Sequence, residues 1–181
     1  MDPLNLMGLV NAFFVQLLGV QPREIQSTMM TFTGRYGVAV NTPDKAKELQ
    51  IGYDHFFWGL NGFIQLGEDD PTLGVSDWTR VEYNLKISGK GWNVDAWDAP
   101  NNFGALLSVD GGGRPKSLLP GFLHFGQKST VRLVLSAYEP DPTWTGATRT
   151  LGVELWGVKV ASDLIPASRR RDLGLPDLDN S

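Results

Sequence analysis

Apolar and polar residues alternate with a period of two in several segments of this chain, which indicates β-strands. The clearest example spans residues 81–87. One face of this predicted strand carries Val81, Tyr83, Leu85 and Ile87. The opposite face carries Arg80, Glu82, Asn84 and Lys86. The pattern predicts that the first face packs on a core and that the second is in water, as is common in antiparallel sheets.

Two further strands are predicted at residues 130–137 and 151–155 by the same alternation. The connection between them, residues 139–148, contains two prolines and a glycine and is predicted to be an extended loop. After Gly157 the apolar residues change parity, since Val158 and Val160 continue the parity of Trp156. We interpret this change as a bulge or bend at Gly157 close to the edge of a sheet.

Weaker alternation predicts the remaining strands at residues 25–33, 36–40, 56–66, 103–109 and 118–125. No helical pattern separates these segments, so about eight strands favour a single all-β jelly-roll or β-sandwich barrel. A short helix is expected at residues 44–50. The predicted organisation is an N-terminal helical arm at 1–22, a jelly-roll β domain at 23–165 and a polar C-terminal tail at 166–181.

The N-terminal segment is the only long one with helical spacing of its apolar residues. Residues 4–20 are uncharged, Asp2 and Pro3 suit a helix start, and Gly19 suits its end. The predicted amphipathic face ends at Leu18, and its predicted assembly-arm residues are Leu6, Leu9, Val10, Phe13, Phe14 and Leu17. This helix either covers its own β domain or acts as an assembly arm that reaches a neighbouring subunit or a membrane surface. The segment is slightly short, with polar interruptions, for a membrane span.

Charge and composition exclude several classes of function. The chain has 16 Lys and Arg against 20 Asp and Glu, a net charge of -4, which argues against a nucleic-acid-binding groove. Its one basic cluster, Arg169–Arg171, is expected in a solvated tail. Without cysteine there is no disulfide, thiol nucleophile or thiolate metal site.

Residues with catalytic or metal-binding chemistry do not form a recognisable motif. His55 and His124 are far apart in the chain, and no nucleophile elbow, zinc-protease helix, EF-hand or phosphate loop is present. The acidic run Glu68–Asp70 suits a solvated turn better than a calcium loop. Asp95 and Asp98 flank Trp97, but their separation is not fixed as in a glycosidase. We therefore predict no catalytic residue, cofactor or metal.

Six tryptophans in 181 residues are many and support an alternative function. Trp58, Trp78 and Trp156 lie in segments predicted to be strands of the core. In the predicted loops, the candidate contact residues are Trp92, Trp97 and Trp144. Exposed tryptophans on a β-sandwich are typical of a carbohydrate- or receptor-binding module, which remains the alternative.

The segments 127–135 and 149–160 resemble the last strands of viral jelly-roll structural proteins. With its terminal arms and its length, the chain is most similar to the small single-barrel coat proteins of tailless icosahedral viruses that enclose a membrane. The resemblance implies a capsid or capsid-associated subunit located in the virion. Its implied partners are copies of itself and other virion proteins, with possible contact of the N-terminal helix with the viral membrane and no specific nucleic acid.

Overall fold

The computed structural model describes residues 3–36, 42–43, 47–65, 81–89, 92–95, 101–102, 117–126, 129–137, 149–176 and 178. Within these residues the helices are α1 (Pro3–Leu18) and α2 (Ala167–Asp172). The strands are β1 (Gln26–Tyr36), β2 (Thr42–Pro43), β3 (Lys47–Glu48), β4 (Tyr53–Gln65), β5 (Val81–Gly89), β6 (Trp92–Asp95), β7 (Asn101–Asn102), β8 (Ser117–Phe125), β9 (Thr130–Ala137) and β10 (Arg149–Ala161). The predicted strand at 103–109 and the predicted loop at 139–148 lie outside the described residues.

The strands form two antiparallel sheets, as predicted for an all-β sandwich. One sheet has the order β2-β1-β10-β4-β8, and the other has the order β3-β9-β5-β6 with β7 beside β5. With β2 and β7 set aside, and with the equally short β3 included, the pairs are nested along the chain. The first strand pairs with the last, β1 with β10, and within that pair follow β3 with β9, β4 with β8, and β5 with β6.

The main core lies between the two sheets. The first sheet contributes Phe32, Phe57, Leu60, Phe125, Leu151, Val153 and Leu155. The second sheet contributes Tyr83, Leu85, Ile87, Val131 and Leu133. A second cluster covers the opposite, outer face of the first sheet, where α1 and the C-terminal segment pack on β4 and β10. The first sheet is therefore covered on both of its faces.

Strand β5 confirms the predicted register on its apolar face and corrects it on the other. Tyr83, Leu85 and Ile87 are buried as predicted. Asn84, predicted to be in water, is also buried, and its Oδ1 accepts a hydrogen bond of 2.8 Å from the backbone N–H of Leu85. Alternation identifies the two faces of a strand, but a neighbouring part of the fold can cover the polar face as well.

This correction changes what substitutions in β5 should do. Leu85→Ala is expected to lower the unfolding free energy by about 2–5 kcal/mol because it opens a cavity in the main core. Asn84→Ala is expected to cost about 1–3 kcal/mol, because a buried N–H loses its acceptor. Urea unfolding of both variants measures these losses. If Asn84→Ala lowers the unfolding free energy by less than about 0.5 kcal/mol, Asn84 is solvated as the sequence predicted.

Strand β10 has the predicted irregularity beside Gly157, but it is not near an edge. Its register with β4 shifts between Trp156 and Gly157, and the residue left without a partner in this ladder is Trp58 of β4. A Cβ at position 157 would meet the backbone oxygen of Phe56, so only glycine fits there. The prediction of a nearby edge is wrong, because β10 lies between β1 and β4.

The change of parity along β10 has a tertiary cause. Residues 151, 153 and 155 belong to the core between the sheets, whereas Val158 and Val160 belong to the cluster on the outer face. Side chains of odd-numbered residues thus point inward and those of even-numbered residues outward along the whole strand. The apolar residues lie on the inner face in the first half of the strand and on the outer face in the second half, and this produces the change of parity.

Two other predictions about local structure are corrected. Lys47 and Glu48, expected in a short helix, form β3 and pair with Thr130 and Val131 of β9. The predicted strand at 36–40 begins as the last residue of β1, and its remainder lies outside the described residues. The N-terminal helix is confirmed, and it ends at Gly19, whose φ of 70° is the left-handed conformation typical of helix C-termini.

Candidate functional site

The N-terminal helix packs on the outer face of its own sheet. Phe14 and Leu18 are completely buried there, in the same cluster as Phe56 and Val158. The ring of Phe14 lies 5.7 Å from that of Phe56 and 5.8 Å from that of Phe122. The sequence left open whether this helix covers its own domain or reaches a neighbour. On this side, α1 covers its own domain.

The other side of α1 presents apolar surface. Leu9 is 58% exposed and Phe13 is 53% exposed, while Leu6, Val10 and Leu17 are half-buried against the outer cluster. Apolar side chains of this size on an open helix face are typical of contact surfaces. The six predicted arm residues are thus divided between a buried side and an exposed side.

An apolar groove runs beside the exposed side of α1, with a volume of about 320 Å³. Helix α1 forms one wall with Leu9, Val10 and Phe13, and the sheet forms the other with Trp58, Leu119 and Phe122. We refer to Leu9, Phe13 and this groove together as the α1 surface. It is a continuous apolar area built from the first helix and from β4 and β8.

The candidate loop tryptophans are not brought together by any described contact. Trp92 lies at the start of β6, where it pairs with Gly89, so it is a strand residue and not a loop residue. Trp97 and Trp144 lie outside the described residues. Trp58 and Trp156 are in strands as predicted, and both pack in or against the outer cluster.

A buried charged junction joins the C-terminal segment to the first sheet, and the sequence did not predict it. The Asp54 carboxylate is completely buried at the start of β4. Its Oδ1 lies 2.7 Å from Nε2 of His124 in β8, and its Oδ2 accepts a hydrogen bond of 2.7 Å from Nη1 of Arg170 in α2. One carboxylate therefore binds an imidazole and a guanidinium from two other elements.

Arg170 is buried and uses its remaining N–H groups on backbone oxygens. Its Nε and Nη2 both donate to the carbonyl oxygen of Pro176, over 2.9 and 2.6 Å, and Nη1 also donates to that of Ser162. The guanidinium thus holds together both ends of residues 162–176. Leu175 and Ile165 of this segment are buried in the outer cluster.

The prediction that the basic cluster Arg169–Arg171 is solvated is therefore wrong for Arg170. Arg169 and Arg171 are exposed, as expected for a solvated cluster, but Arg170 between them is buried. A helical turn places neighbouring residues about 100° apart, so one arginine of three can face inward. In the sequence, the only signal was that Leu173 and Leu175 follow the basic cluster.

Electrostatics at the junction favour the ionised carboxylate. Burial by itself would raise the pKa of Asp54, but hydrogen bonds from His124 and Arg170 outweigh it and lower that pKa below its ordinary value. Next to it, burial lowers the pKa of His55 to about 4, and the charge of Lys159 adds to this effect. His55 is therefore neutral at neutral pH. The ionised Asp54 and the guanidinium of Arg170 together fasten the C-terminal segment to the first sheet, and we refer to this junction as a clamp.

Metal binding has no support in the part of the chain that the structure describes, where no group of three or more His, Asp or Glu side chains is placed to hold an ion. Asp95 lies in β6, while Asp98 and the run Glu68–Asp70 lie outside the described residues.

Among the described helices, none is long and apolar enough to span a membrane.

Comparison with known proteins adds no relative: no protein-family model matches the chain, and no significantly similar sequence is found among curated proteins.

Proposed function

We propose that this chain is a virion structural protein, a capsid or capsid-associated subunit that acts by self-assembly. The observation that carries the proposal is the nested pairing of the strands. The proposal also takes up the similarity of the last strands to those of viral jelly-roll proteins.

The nested pairing supports a jelly roll as the finer description of the sandwich. A jelly roll has eight antiparallel strands in two sheets and is one long hairpin folded over on itself. With β2 and β7 left out and the other strands numbered one to eight, the strands of this chain have the orders 1-8-3-6 and 2-7-4-5. Strand two in this numbering is β3, which has two residues, as β2 and β7 do. Each strand of one half of the chain pairs with its counterpart in the other half, as the folded hairpin requires.

The α1 surface supports assembly as the mode of action. Leu9 and Phe13 are exposed although the same helix buries Phe14 and Leu18, so α1 is held on the domain while it presents apolar side chains outward. Symmetric assembly requires rigid, complementary surface patches. We propose that the α1 surface contacts another subunit of the shell, with the viral membrane as the competing partner.

The proposal predicts that assembly depends on the exposed side of α1. The double variant Leu9→Ser, Phe13→Ser should abolish particles or subassemblies, because it removes the apolar contact, while the melting temperature changes little. The control Ala12→Ser, Gln16→Ser alters two exposed positions of the same helix and should assemble normally. Electron microscopy and sedimentation velocity measure assembly, and circular dichroism measures folding.

Three other outcomes would contradict parts of the proposal. Normal particles from the Leu9, Phe13 variant would remove the α1 surface from assembly. Binding of the wild type, but not of this variant, to anionic lipid vesicles would assign that surface to a membrane. A protein that stays monomeric at all concentrations and changes its tryptophan fluorescence with sugars would instead be the carbohydrate-binding module.

A further inference from the structure

Among the described residues, strand β1 is fully paired along one edge and only partly paired along the other. One edge pairs with β10 along the whole strand, from Gln26 to Tyr36. On the other edge, the described residues supply only β2, which pairs with Gly34 and Arg35. The chain then enters the second sheet at Lys47, whose Nζ donates to the backbone oxygen of Thr31. Residues 26–30 lie beyond both contacts.

This edge lacks the features that normally prevent strands from pairing with other chains. Native edge strands are protected by charged residues, proline or bulges. The segment 26–30 reads Gln-Ser-Thr-Met-Met, without charge, proline or glycine, and its register with β10 is regular. The opposite edge of the same sheet, β8, contains Pro120 in its middle. Among the described residues, the β8 edge thus carries a protecting proline, whereas residues 26–30 of the β1 edge carry no charge, proline or bulge.

The backbone groups that face outward can be assigned from two contacts. Nζ of Lys47, in the second sheet, donates to the oxygen of Thr31, and this contact fits odd-numbered residues that direct their N–H and C=O away from β10. In β2, Pro43 has no N–H, so the pair Gly34–Pro43 cannot exchange two hydrogen bonds. Because the two types of pair alternate, Arg35–Thr42 is the hydrogen-bonded pair, and the odd-numbered Arg35 directs its N–H and C=O to this edge. Ser27 and Met29 therefore present two donors and two acceptors outward.

We propose that the segment Ser27–Met29 is a dimerisation edge that pairs antiparallel with the same segment of a second copy, with the two-fold axis at Thr28. In this register Ser27 of each copy pairs with Met29 of the other, and all four outward groups of each strand are satisfied. The pairing joins the first sheets of two copies into one. This pairing would be one interface of the proposed self-assembly, and its biological role rests on that proposed function.

A second copy fits this edge better than an unrelated strand for two reasons. A two-fold axis makes any outward donor meet the matching acceptor of an identical strand, so the patch is complementary to itself. The pairing also places Thr28 opposite Thr28, a favourable cross-strand pair, and brings no like charges together. Met29 is 54% exposed, next to its partner Trp156 of β10, and would lose much of that exposure in the dimer.

The first test introduces a charge at the edge. Met29→Lys should convert a dimer into a monomer and raise the dimer dissociation constant at least about tenfold, because a lysine on an edge strand opposes further pairing. The control is Ile51→Lys, since Ile51 is 66% exposed and precedes β4, which lies on the other side of β10. Sedimentation velocity over a range of concentrations measures the dissociation constant.

The second test locates the axis, and the absence of native cysteine makes it clean. Thr28→Cys should form a disulfide-linked dimer under mild oxidation, because directly opposed residues of a non-hydrogen-bonded pair have Cα atoms about 4.5 Å apart. Met30→Cys lies on the same face, but its two copies would be four residues out of register, about 14 Å apart at ~3.4 Å per residue. It should not crosslink to itself.

The outcomes separate this inference from the proposed function. Particles that form without a Thr28 crosslink, and that are unaffected by Met29→Lys, would overturn the β1 dimer and leave the assembly role intact. A β1 dimer that never forms larger assemblies would support this inference and contradict the shell role. A wild type that is monomeric throughout, or crosslinking at Met30 equal to that at Thr28, would overturn the inference.

Discussion

Replacement of Arg170 by methionine is expected to lower the unfolding free energy by about 3–5 kcal/mol, since removal of one partner of a buried ion pair leaves the other charge without compensation. The charge left behind is the carboxylate of Asp54, which is completely buried and would lose its guanidinium partner while it keeps the contact with His124. The backbone oxygens of Ser162 and Pro176 would lose their donors as well. Urea unfolding at neutral pH measures the loss.

The matched controls are the neighbouring arginines. Arg169→Met and Arg171→Met remove the same group from exposed positions and should change stability within about 0.5 kcal/mol. The double variant Asp54→Leu, Arg170→Met should recover part of the loss, because no buried charge remains. Equal effects for all three single arginine variants would contradict the clamp.

The effect of Arg170→Met should also depend on pH in a defined direction. The pKa of Asp54 is lower in the folded protein than its ordinary value of about 3.9. The stability that the ion pair contributes is therefore fully present above pH ~4 and is lost as the pH falls through the lower, folded-state value. The wild type should lose stability relative to the variant as the pH falls through that acidic range, as unfolding curves at several pH values would show.

Replacement of Phe14 by alanine is expected to cost about 3–5 kcal/mol, the usual range for a buried phenylalanine. Phe14 is completely buried and contacts the rings of Phe56 and Phe122, so the substitution opens a cavity between α1 and the first sheet. Thermal or urea unfolding measures the loss, and it decides whether α1 is part of the folded domain or a detachable arm.

The control is the adjacent Phe13, which has the same side chain on the exposed side of the helix. Phe13→Ala should cost no more than about 1 kcal/mol, because half of that side chain is already in water. If Phe14→Ala proves as mild as Phe13→Ala, α1 does not stabilise the domain, and deletion of residues 2–20 would leave a folded body.

The sequence by itself determined the local structure of the best-patterned segments. Strands β5 and β9 and the helix α1 lie where the spacing of apolar residues and the helix-start and helix-stop residues predicted them. Alternation and helical spacing follow directly from backbone geometry. An irregularity was predicted at Gly157 and is found there, but the unpaired residue is Trp58 of β4, and the change of parity on which the prediction rested comes from the change of covered face. The all-β class followed from the absence of helical patterns between strands.

Tertiary structure decided which surfaces are covered. Asn84 and the end of β10 carry patterns that suggest an exposed face and a sheet edge, yet Asn84 is buried and β10 is central. Burial of a polar face depends on elements distant in sequence, and a period of two contains no information about them. The same reason explains why the sequence could not divide the arm residues into the buried Phe14 and the exposed Phe13.

Only the fold could reveal the charged junction. Asp54, His124 and Arg170 lie in three different elements and share no sequence spacing, so no motif marks them. Arg170 reads as one of three solvated arginines, and its burial depends on the rotation of a six-residue helix against the sheet. Short-range patterns thus fix the type of each element, whereas long-range packing selects which charged and apolar side chains meet.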